Sequence, residues 1–283
     1  MTDEDGTDLQ LRQRPVTRRG ALALLGGLGL LAAGCSGGSD GSSATATTSG
    51  SNGASASGAT TTTTGSAAAA VTSCSAIPEE TGGPYPGDGS NGPDVLSESG
   101  VVRKDIRTSF DGASGTAEGV PYTIQFTVVD VDQGCTPLEG AAVYVWHCDR
   151  GGDYSMYQSA SDANYLRGVQ PADKNGLVTF TSIFPAAYDG RWPHVHFEVY
   201  PSVDAATSGG TKLVTSQIAL PQDVCEAVYA TSGYEQAATN LARTSLATDM
   251  VFSDGVSLQT PSMTGNVTSG YVSSLVVGVS GTV

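Results

Sequence analysis

Short rows of alternating, β-branched residues, each closed by Gly, Pro or Asn, recur from residue 122 onward and constrain the fold more than any other feature. Residues 122–131 read YTIQFTVVDV, and 141–146 repeat the alternation after Gly140. Residues 177–183 follow an Asn175-Gly176 turn signal, and 195–200, 213–220, 255–258 and 271–277 read the same way. Alternation puts every second side chain on one face, so each row is a strand packed against a core. Helix candidates are few and short, at 226–229 and 235–241. Seven or more short strands with turns between them predict an all-β fold, a β-sandwich core with few short helices. Two long irregular stretches, 148–173 and 184–193, hold Tyr154, Tyr157, Tyr165 and Tyr188. Loops of that length inside a compact domain are functional or disordered, and their aromatic content points to active-site loops.

The densest chemistry lies at residues 184–197, FPAAYDGRWPHVHF. On a strand His194 and His196 project from one face, about 7 Å apart along the backbone, so both imidazoles can reach one metal. The chain has three histidines in all. The third, His147, reads as a structural, hydrogen-bonded residue. Two imidazoles alone suit zinc or copper, and a hydrolytic zinc site needs a third ligand, for which Asp189 and Glu198 are candidates. A phenolate is a hard anionic donor suited to ferric iron, so the neighbouring tyrosines shift the expectation away from zinc. A tyrosine near its reference pKa of about 10 ionises at neutral pH only beside the metal's charge.

Five ordered stretches support a resemblance: PEETGGPYP at 78–86, VVRKDIR at 101–107, CTPLEGAAVYVWHCDRGGDYS at 135–155, YLRGVQPADKNG at 165–176, and FPAAYDGRWPHVHF. In these the chain from about residue 74 to 277 resembles the intradiol ring-cleavage dioxygenases, the non-haem ferric enzymes that open catechols between their two hydroxyls. The match is nearest their exported, signal-bearing branch. The resemblance implies Fe(III) held by Tyr154, Tyr188, His194 and His196, with catechol and O2 as substrates and muconate-type diacids as products. It implies that Tyr188 leaves the metal and takes a substrate proton, while Arg191 stabilises charge developing on the ring and Gln217 supports the site. Tyr157, three residues from Tyr154, is the competing ligand candidate. Trp146 and Trp192 read as packing residues, and Asp189 is the nearest acid for Arg191. The rival reading is a non-catalytic exported β-sandwich module that binds a metal, an aromatic ligand or a polysaccharide.

The amino-terminal part is different in kind. Residues 1–35 carry Arg12, Arg14, Arg18 and Arg19, then an apolar run to Ala33 and the sequence LAAGC ending at Cys35. This resembles a twin-arginine export signal with a lipoprotein-like cleavage site, which would leave Cys35 as a lipidated first residue; the alternative is simple cleavage and release from the cell. Residues 36–73 are almost wholly Ser, Gly, Thr and Ala, a flexible tether with a span of roughly 35 Å. Residues 74–283 fit one domain, which by the resemblance is the intradiol dioxygenase-like catalytic domain. The formal charge of −15 argues against nucleic-acid partners. With Cys35 set aside, Cys74, Cys135, Cys148 and Cys225 are expected to pair as disulfides, Cys135 with Cys148 across a hairpin and Cys74 with Cys225 by elimination. No oligomeric state and no preference among catechols follows from the sequence.

Overall fold

The computed structural model describes residue 71 and residues 73–281, all within a single compact unit. The export signal, Cys35 and most of the tether lie outside the described residues. Among the described residues nine strands and three short α-helices follow in order. They are β1 (Pro121–Asp130), β2 (Thr136–Pro137), β3 (Ala142–Trp146), β4 (Arg167–Pro171), β5 (Leu177–Ile183), β6 (His194–Tyr200), α1 (Val203–Thr207), β7 (Val214–Ala219), α2 (Gln222–Tyr229), α3 (Glu235–Leu241), β8 (Ser262–Asn266) and β9 (Gly270–Val279).

One sheet runs β2-β1-β9-β8, with β5 sharing the β2 edge of β1 and β9 pairing parallel to β1. The other runs β4-β3-β6-β7 and is antiparallel throughout. The fold is all-β, as the alternation predicts. Ile124, Phe126 and Val128 turn one face of β1 inward, and Phe126 meets Phe197 of β6 with ring centroids 4.9 Å apart. The odd-numbered residues of β6 therefore face the other sheet. Its even-numbered residues, His194, His196 and Glu198, point the opposite way, yet all of β6 is buried. The second burial comes from the irregular segments, which cover the outer face of this sheet and make it the floor of a site.

Three expectations are corrected. The bridge is Cys74–Cys135, and Cys148 and Cys225 are buried free thiols. Cys135 and Cys148 do not flank one hairpin, because β2 pairs in the first sheet and β3 in the second. The lead-in segment instead runs beside β9, where Ile77 N donates to Gly278 O at 2.9 Å. β9 pairs with the end of β1, where Cys135 N donates to Asp130 O, so Cys74 arrives next to Cys135. The stretch 148–173, expected to be irregular, contains β4. Residues 255–258, expected to be a strand, form a turn, and the hairpin partner of β9 is β8.

Candidate metal centre

β6 begins directly after Pro193, and the turn before it sets the first histidine. His194 Nδ1 lies 2.6 Å from Trp192 O, so that nitrogen carries the proton and Nε2 is left as a bare lone pair. His196 is stacked on Trp146, its cross-strand partner, with centroids 4.8 Å apart and planes 6° from parallel. Gly83 packs close to the same ring. A Cβ on Gly83 would come 3.3 Å from His196 Cε1, and its φ of +70° is one that L residues avoid, so glycine alone suits this contact.

Tyr154 and Tyr188 are brought in by the two long loops. Asp149 Oδ1 accepts from Gly151 N and Asp153 N, a tight turn that delivers Tyr154 inward. Gly152 (φ +97°) lets the loops meet, since a Cβ there would press on Tyr188 Cβ at 3.2 Å. The 184–193 loop has no strand or helix and is hung from the two carboxy-terminal helices. Tyr229 donates to Pro185 O, Tyr234 to Phe184 O and Asn240 to Ala187 O.

The result is convergence. His194 Nε2 lies 3.2 Å from the Tyr154 hydroxyl, 3.3 Å from the Tyr188 hydroxyl and 3.1 Å from His196 Nε2. One lone pair cannot satisfy three such neighbours, whereas a cation among four donors can. Burial, and then Arg191, push His194 down to about 3, and burial drives His196 well below the ordinary histidine value, so both imidazoles are neutral. Burial pushes Tyr154 well up, and it raises Tyr188 too, against the opposing pull of Arg191. Neutral imidazoles and phenols that ionise only beside a positive charge are a donor set that fits a trivalent ion. Among the described residues, no group of three or more His, Cys, Asp or Glu is placed to hold a metal. Glu198, a candidate for that role, is committed to Lys212, Tyr200 and Thr215, and Asp189 is exposed.

Beside this cluster Arg191 is 8% exposed and tied down twice. Nε donates to Asp249 Oδ2 at 2.9 Å and Nη2 to Gln217 Oε1 at 2.8 Å. Gln217, paired in register with His196, in turn donates to Thr81 O. Asp249 also accepts from the amides of Trp192, Val251 and Phe252. Burial opposes its ionisation, but Arg191 and these amides outweigh it and hold the carboxyl below its usual range. Sequence reading missed Asp249, which lies 58 positions from Arg191 with no motif around it, and offered Asp189 instead. Tyr157 is not in the cluster: its hydroxyl donates to Asn91 and accepts from Gly87 N. His147 has both ring nitrogens occupied, by Cys148 O and Ser182 Oγ, as a structural histidine should. Trp192 donates to Leu220 O and packs.

Residues 91–194 match the model of the family Dioxygenase_C, described as dioxygenase, a span that includes Tyr154, Tyr188, Arg191 and His194. The fold is shared with an intradiol ring-cleavage dioxygenase from Tetranychus urticae, with a TM-score of 0.56 over 73% of this chain and 95% of that one at 24% identity. The family match thus falls on residues that line the site, and the likeness in fold is to an intradiol dioxygenase. Among curated proteins, the chain is 40% identical over 68 residues to a chlorocatechol 1,2-dioxygenase of Rhodococcus opacus, covering 23% of this chain and 26% of that protein. It is 33% identical over 57 residues to a catechol 1,2-dioxygenase of a Pseudomonas strain, covering 20% and 19%. The matches thus span about a quarter or less of the curated relatives' length.

Proposed function

We propose that this chain is a non-haem Fe(III) intradiol dioxygenase that cleaves catechol-type rings between their hydroxyls with O2, giving muconate-type diacids. The observation that carries the reading is the convergence of two phenols and two bare imidazole nitrogens on one point. Tyr154, Tyr188, His194 and His196 would hold the iron, which when bound supplies the charge that ionises the phenols and activates the catechol. Tyr154 is buried and Tyr188 only half-buried, so Tyr188 is the group free to swing and accept a proton from a catechol hydroxyl. Arg191, held in place by Asp249 and Gln217, aims a fixed positive charge at the negative charge that develops on the ring. The carbonyl of Thr81 orients Gln217 and so completes that support. The chlorocatechol and catechol enzymes among the relatives make catechols the substrate class to try first. The export signal that residues 1–35 resemble supports work outside the cytoplasm, with the domain either tethered through a lipidated Cys35 or released.

Iron-supplemented expression tests the reading directly. A red-brown protein with a tyrosinate-to-iron band and oxygen uptake on catechol, protocatechuate or hydroxyquinol is the expected result. Tyr188→Phe should keep iron and lose turnover by at least about a hundredfold, the scale of a lost general base. A colourless protein, or one inert to all three catechols, would remove the enzyme; full activity in Tyr188→Phe would remove the assignment of that tyrosine.

A further inference from the structure

Arg167, at the start of β4, is 1% exposed, and among the ion pairs of the described residues none involves it. A buried guanidinium without an anion is tolerated only where every donor finds an acceptor. Here Nε donates to Ser155 Oγ (3.0 Å), Nη1 to Pro86 O (2.8 Å) and the Tyr144 hydroxyl (3.0 Å), and Nη2 to Tyr85 O (3.0 Å) and Ser155 O (2.9 Å). The planar fork of five N–H groups fits five acceptors. Lysine, with three donors on a flexible stem, does not.

Those acceptors belong to three parts of the metal centre. Ser155 follows Tyr154 in the chain. Tyr85 and Pro86 end the segment that lays Gly83 on His196, and the Tyr85 ring packs on Tyr154 with centroids 5.1 Å apart. Tyr144 is the base of a column in which it stacks on Trp146 at 4.9 Å and Trp146 stacks on His196 at 4.8 Å. We infer that Arg167 is a positioning residue of the centre. It fixes Tyr154 relative to His196 and holds the Gly83–Tyr85 wall over the substrate, acting through Ser155, Tyr144 and two carbonyls. The inference rests on the iron-dioxygenase reading, and Arg167 itself touches neither metal nor substrate.

Arg167→Lys and the milder Tyr144→Phe, made in the full chain, test it against Tyr122→Phe. That control loses a buried hydrogen bond to Ser273 in the other sheet. In the iron-loaded proteins Arg167→Lys should shift the tyrosinate-to-iron band and lower kcat/KM by about a hundredfold, the cost of misplacing a reacting group by an ångström. Tyr144→Phe should move both in the same direction by less, and Tyr122→Phe should move neither. In the metal-free proteins amide exchange should quicken together at 83–87 and 154–157 in the first two variants. An unshifted band with unchanged kcat/KM, or exchange loosened evenly over the domain, overturns the inference; if Arg167→Lys does not fold, Tyr144→Phe decides by the same criteria. A wild-type protein without colour or turnover would sink the dioxygenase reading alone, and the exchange comparison would still decide whether Arg167 ties these segments together.

Discussion

Asp249 determines whether the charge on Arg191 is aimed or merely present. Its side chain is fully buried and that of Arg191 is 9% exposed, so the pair exchanges little with water and is held by three backbone amides as well. Breaking one partner of a buried pair costs about 3 kcal/mol or more, because the other charge is left uncompensated. Asp249→Asn should therefore lower the urea midpoint and reduce kcat/KM by about a hundredfold, as the loss of a preorganised electrostatic group does. Asp189→Asn should do neither, since Asp189 is exposed. Unchanged kcat/KM in Asp249→Asn would mean that Arg191 needs no fixed partner. At this scale the six proposed site residues, Tyr154, Tyr188, Arg191, His194, His196 and Gln217, were legible because each sits in a short motif, and the structure brings them together. Asp249 and Arg167 were not, because their roles depend on contacts 58 and up to 82 positions away along the chain.

Strands were legible where both burial and alternation shape the sequence. β1, β5, β6, β7 and β9 were anticipated to within a few residues for that reason. β4 reads RGVQP, with Gly and Pro at positions that argue against a strand, and its pairing with β3 overrides them. β8 is a largely exposed edge strand without an apolar face to reveal it. The disulfide was misread because the sequence does not show that the chain changes sheets between Cys135 and Cys148. The bridge closes a span of 61 residues, which by chain entropy stabilises the fold by about 4 kcal/mol. Its removal loosens the lead-in segment, and that segment carries Thr81 to Gln217 and Gly83 to His196. Cys74→Ser paired with Cys135→Ser should lower both the melting temperature and the iron content. Cys148→Ser should leave a disulfide detectable by mass under non-reducing conditions; its loss in that variant would restore the pairing first expected.

At the scale of the whole molecule the acidic domain and the lipid anchor proposed at Cys35 make opposite demands on a surface. The chain carries a formal charge of −15, and residues 1–35 contribute nothing to it, since their four arginines balance Asp3, Glu4, Asp5 and Asp8. An acidic body is repelled by an anionic leaflet rather than drawn to it. Among the described residues no helix is long and apolar enough to cross a membrane. If Cys35 is lipidated as proposed, stable anchoring there takes at least two acyl chains. Cys35→Ala should move the protein completely from the membrane fraction to the soluble one and abolish incorporation of labelled fatty acid, with turnover per iron unchanged. A variant still found with the membrane would place the attachment elsewhere in the chain, and a wild-type protein already soluble would make the signal one of simple release.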